Sequence, residues 1–66
     1  MDYTLYVDGV EVTTNRKLAP LKAEADFWLE NLNSFAAKIT RGEKTYYKEY
    51  DDAKWLCMGI YKEKTV

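Results

Sequence analysis

Histidine is missing altogether, and cysteine, serine and proline occur once each, as Cys57, Ser34 and Pro20. Without histidine the chain lacks the commonest general base and the commonest metal ligand. Ser34 therefore has no evident activating partner, and a hydrolytic triad is excluded on composition. A lone cysteine allows neither an internal disulfide nor a cysteine metal cluster, and a chain this small with no bridge suits a reducing, cytoplasmic setting. The three glycines, Gly9, Gly42 and Gly59, are too scattered to cradle a phosphate. No uncharged apolar run is long enough to span a bilayer, and "MDYTLYVDG" has neither the basic nor the apolar region of a signal peptide. There is no surplus of positive charge either. Ten Lys and Arg against eleven Asp and Glu leave a net charge of −1, which argues against a general nucleic-acid binder.

What is present is apolar and aromatic. The 66 residues are 47% hydrophobic and 15% aromatic, enough for one small folded domain over residues 1–66. "YTLYVDGVEVTT" alternates apolar and polar residues on both sides of Asp8-Gly9, the pattern of a hairpin. Pro20 suits the first turn of a helix. From there Leu21, Ala25, Trp28, Leu29, Leu32, Phe35, Ala36 and Ile39 fall at helical spacing. The expectation is a helix from Pro20 to about Thr40, with Lys38 and Arg41 at its negative end and Gly42 closing it. "EKTYYKEY", "DDAK" and "WLCMGIYK" read as a second hairpin, with Asp51-Asp52 as ordinary turn formers and "EKTV" as a frayed tail. The expected fold is α+β in the order ββαββ: a four-stranded antiparallel sheet with one helix across one face.

Two features exceed what such a core needs. In the last strand Trp55, Cys57 and Tyr61 alternate with Leu56, Met58 and Ile60, so both faces are apolar. Cys57 then reads as a small buried hydrophobe, and Gly59 as a bulge or a close backbone approach. In the strand before it, Tyr46 and Tyr50 share a face with Lys44 and Lys48, while Tyr47 lies opposite with Thr45 and Glu49. A tyrosine on an open strand face ordinarily just packs across its neighbours. A doubly apolar strand beside such tyrosines points instead to a face that meets a partner or a second copy. Phe27 lies outside the helical stripe, near Arg41. It either covers the "TTNRKLA" loop or anchors an interface.

The candidate partner-binding residues are therefore Phe27, Arg41, Lys44, Tyr46, Lys48, Tyr50, Leu56, Met58 and Ile60, with no catalytic residue, metal or cofactor. A protein partner, with homodimer formation, is the first expectation. Single-stranded nucleic acid, stacked on tyrosines and held by Lys44, Lys48 and Arg16, is the alternative. In its size, single cysteine, lack of histidine and stretches such as "TYYKEYDDAKW", the chain resembles the small proteins with which phages inhibit host or defence machinery, anti-CRISPR proteins among them. That resemblance implies a stoichiometric blocker, phage-encoded and acting in the host cytoplasm. It assigns a role to no particular residue.

Overall fold

The computed structural model describes residues 2–52 and 54–58. Its elements are β1 (Tyr3–Val7), β2 (Val10–Asn15), α1 (Leu18–Asn31), β3 (Ala36–Arg41), β4 (Lys44–Glu49) and β5 (Leu56–Met58). The five strands form one sheet in the order β2-β1-β3-β4-β5, each neighbouring pair antiparallel. The fold is α+β as expected, but ββαβββ in place of ββαββ, with five strands in place of four.

The first hairpin is the one read from sequence. Val7 pairs with Val10, and Asp8 and Gly9 have φ of 51° and 83°. Positive φ at both turn positions gives the twist that two-residue hairpins favour, and Asp-Gly tolerates it. Between Leu5 and Tyr6 the register slips, so Leu5 faces Thr13 and Tyr6 faces Glu11, with Val12 as the extra residue. Such a bulge twists an edge strand, and β2 is an edge.

The added strand comes from the second half of the expected helix. α1 stops at Asn31, and Asn33, at φ 57°, takes the left-handed conformation that Asn accepts beyond a helix end. A helix from 20 to 40 would be about 31 Å long, at 1.5 Å per residue. A six-residue strand spans only about 20 Å, so roughly 11 Å of that helix would overhang the sheet. By turning back, residues 36–41 enter between β1 and β4 and pair with both. Among the described residues no other segment joins the two hairpins. Gly42 is consequently not a helix terminator. It is the first residue of the tight turn that pairs Arg41 with Lys44, where glycine adopts a φ of 60° without steric cost. Lys38 and Arg41 are strand residues, and no basic residue occupies the last turn of α1.

The core lies between α1 and the sheet. Leu5 and Val7 of β1, Ala37 and Ile39 of β3, and Leu21, Ala25 and Leu29 of α1 are buried. Trp28 packs against them half-buried. Of the expected helical core, Leu32 and Phe35 are instead exposed. Cys57 is also exposed, not the buried hydrophobe expected. Asp52 does form a turn: its carboxylate accepts from the Glu49 N–H at 2.9 Å, and its own N–H donates to the Glu49 carbonyl at 3.0 Å. Gly59, Ile60, Tyr61 and the "EKTV" tail lie outside the described residues.

Candidate functional site: the open sheet face and an aromatic end

Residues opposite one another in a sheet point to the same face. Leu5 pairs with Ile39, Ile39 with Tyr46, and Tyr46 with Cys57, so all four share the face that α1 covers. Lys44 and Lys48, two residues from Tyr46 on either side, share it as well. The helix sits over β1, β2 and β3. Beyond it, toward β4 and β5, a layer of cations and rings continues the packing. Lys48 Nζ is 2.9 Å from Asp26 Oδ1 of α1. Lys22 Nζ stands 5.2 Å from the Tyr46 ring centre and 5.9 Å from that of Trp55. The Arg41 guanidinium lies 4.5 Å above Tyr3, which in turn touches Tyr46 at 6.3 Å between centroids. Burial, and then the neighbouring Cys57 and Tyr3, push the Tyr46 phenol above its ordinary pKa.

The interleaved lysines and tyrosines are thus absorbed largely into packing. Tyr46, Lys48 and Arg41 have partners within the molecule, and Lys44 alone of this group is fully exposed. Arg41, being on β3, shares no helix edge with Phe27, so the surface expected from those two does not exist. Phe27 is 55% exposed, on the side of α1 away from the sheet.

Among the described residues no helix covers the opposite face. One row across it runs Tyr6, Lys38, Tyr47, Leu56, and a second runs Thr4, Thr40, Thr45. Lys38 Nζ is 4.9 Å from the Tyr6 ring centre, and Leu56 is 47% exposed. Leu56 is therefore on the other side of the sheet from Tyr46 and Lys48, and the candidate residues divide between two faces; the Met58 side chain, like Ile60, lies outside what the structure describes. A shallow depression of about 350 Å³ opens on this side, lined by Tyr6, Asp8, Gly9, Phe35, Lys38 and Tyr47 among others.

At the end of the sheet beside that depression stand the two most exposed rings. Phe35 is 72% exposed and Tyr50 63%, and they meet edge to face with centroids 6.2 Å apart. Their backbone is held firmly. The Tyr50 N–H donates to the Phe35 carbonyl at 2.8 Å. Asp8 Oδ1 accepts from the N–H groups of Phe35 at 2.8 Å and Ala36 at 3.1 Å. The Asp8 N–H donates to the Ala36 carbonyl at 2.9 Å. The first turn therefore braces the loop that carries Phe35.

Tyr50 was a candidate from sequence; Phe35 was not, because its spacing fitted the helical stripe. The signal against that stripe was Asn33-Ser34, a turn-prone pair just before the ring. Among the described residues no three Cys, Asp or Glu side chains converge as a metal site. No helix among them is long and apolar enough to cross a membrane. No family model matches the chain, and no curated protein or solved structure is significantly similar to it.

Proposed function

We propose that this protein acts without chemistry of its own, by binding another protein stoichiometrically and blocking it. One observation carries the reading: the helix covers one face of the sheet, while Tyr6, Lys38, Tyr47 and Leu56 line the other, beside the exposed rings of Phe35 and Tyr50. Apolar and aromatic surface of this kind, on a monomer this small, is the usual material of an interface. The general resemblance to phage-encoded inhibitors agrees with it, and implies the host cytoplasm as the setting and a host or defence protein as the target. A second copy of the chain, forming a homodimer, is the alternative occupant of the same open face.

The nucleic-acid alternative loses its best feature in the fold. Lys44, Tyr46 and Lys48 lie on the helix side, where Lys48 is paired with Asp26 and Tyr46 is in contact with Lys22 and Tyr3, which leaves Tyr47 alone of that pattern on the open face. The open face carries Glu11 and Glu49 beside Lys38. Titration with a labelled random single-stranded oligonucleotide separates the two readings. Protein binding predicts no complex at about 50 mM salt; a complex that weakens steeply as salt rises would replace it with the nucleic-acid reading.

A further inference from the structure

The three surface features that the fold leaves over are the open sheet face, the ring of Phe27 and the Phe35–Tyr50 end, and only the last comes with a charge pattern that says what would cover it. The turn after β1, the loop after α1 and the turn after β4 all lie at one end of the sheet. That end carries Asp8, Glu30, Glu49, Asp51 and Asp52 against Lys54, with Lys48 and Lys38 one and two residues along the strands from it. The far end, where α1 begins and β3 turns into β4, carries Arg16, Lys17, Arg41 and Lys44 against Asp2 and Glu43. A nearly neutral chain is thus polarised along the strands.

The helix adds to this polarity and does not offset it. α1 runs from the basic end to the acidic end, so its own negative pole points the same way as the carboxylates. A helix arranged for its own stability places acids in its first turn and bases in its last; this one has neither. Folding does not ask for such a field. Binding does, because a polarised molecule is steered so that one end arrives first.

We propose that the acidic end docks on a basic protein surface, with an arginine of the partner laid against Phe35 and Tyr50. The inference rests on the protein-binding reading above and supplies the chemistry of the partner. The two rings are exposed and already in contact, and the backbone that carries them is held through Asp8 and the Tyr50 N–H to Phe35 carbonyl hydrogen bond, so little backbone freedom is lost when they are covered. A planar guanidinium stacks on such rings and offers several donors to nearby carboxylates, whereas a lysine ammonium supplies only a point charge. An arginine is thus the side chain that uses both the rings and the rim.

The test is a titration of the full chain, followed by NMR and calorimetry, with an octa-arginine peptide as probe and octa-lysine and octa-glutamate peptides as comparisons. At about 50 mM salt octa-arginine should bind, at about 0.5 M it should bind much less, and octa-glutamate should not bind at this end. Octa-lysine should bind about threefold or more weakly than octa-arginine. Resonances of residues 30–36 and 49–52 should move. The double variant Phe35→Ala/Tyr50→Ala should weaken octa-arginine about tenfold with its melting temperature unchanged, and Glu30→Gln/Asp51→Asn should flatten the salt dependence. Equal affinity for the two basic peptides, equal affinity of the aromatic double variant, shifts confined to another surface, or no binding at low salt would each overturn the proposal. So would sedimentation showing salt-sensitive head-to-tail association through this end, which would assign it to a second copy. These outcomes leave the oligonucleotide titration untouched: a bound oligonucleotide removes the protein-binding reading itself, whereas a failed peptide titration alone removes only the assignment of this end.

Discussion

Ile39 and Phe35 sit four residues apart and finish in opposite environments, one fully buried and one largely in water. Replacing Ile39 with alanine removes apolar volume from the centre of the core and should cost about 2–5 kcal/mol. Phe35→Ala should cost well under about 1 kcal/mol, as substitutions away from packed positions usually do. Urea unfolding of the two variants checks the pair, and equal losses would contradict the burial on which the site assignment rests. Tyr46 makes a different prediction. Burial holds its phenol above the ordinary value of 10.0. In the unfolded chain the ordinary value returns, so above about pH 10 the unfolded form has released a proton that the folded form keeps. The contribution is complete below that pH and declines as pH rises through the folded-state value. Tyr46→Phe should therefore lose less stability than the native chain between pH 9 and pH 11. Parallel stability curves in that range would show that the phenol is not desolvated.

Among the elements, the Asp8-Gly9 turn does more than reverse the chain. Asp8 adopts a left-handed conformation and accepts two amide hydrogen bonds from the start of β3. Asp8→Ala should destabilise by about 1–3 kcal/mol, since it loses the acceptor for both amides and strains a position unsuited to alanine. Asp8→Asn keeps an acceptor and tolerates the conformation, so it should cost clearly less. Thermal melts of both variants, with the Phe35 amide followed by hydrogen exchange, test whether this turn is what fixes the aromatic loop. Gly9 bears no such double duty. A side chain there would meet nothing within 4 Å, so alanine would be opposed by its φ of 83° alone.

At the scale of the whole molecule, one helix of 14 residues cannot cover both faces of a five-stranded sheet. It spans β1, β2 and β3, while Lys22, Lys48, Tyr46 and Trp55 pack the region beyond it. Among the described residues no element packs on the other face. If the homodimer forms there, sedimentation equilibrium at micromolar concentration should show a dimer. Tyr47→Asp and Leu56→Asp should convert it to a monomer, because a charge placed in a buried apolar contact goes unpaired. A dimer indifferent to both substitutions would move the interface elsewhere.

Much of this was legible along the chain because it depends on neighbours within a few residues. The first hairpin follows from alternation around Asp8-Gly9, and the start of α1 from the spacing of Leu21, Ala25 and Leu29. The period of two likewise placed Lys44, Tyr46 and Lys48 on one face. β3 was not legible. Leu32, Phe35, Ala36 and Ile39 satisfy a helical spacing, while Ala37 and Ile39 equally satisfy a strand facing a core. No local preference separates the two patterns. Leu5 on one side and Tyr46 on the other decide between them, by offering Ile39 a buried site and its backbone two sets of hydrogen-bond partners. The same holds for the site. Alternation shows that two faces exist but not which one the helix will take, nor that Lys48 will find Asp26 across the fold. A side chain's exposure depends on what lies opposite it, and that is settled only when segments distant in sequence come together.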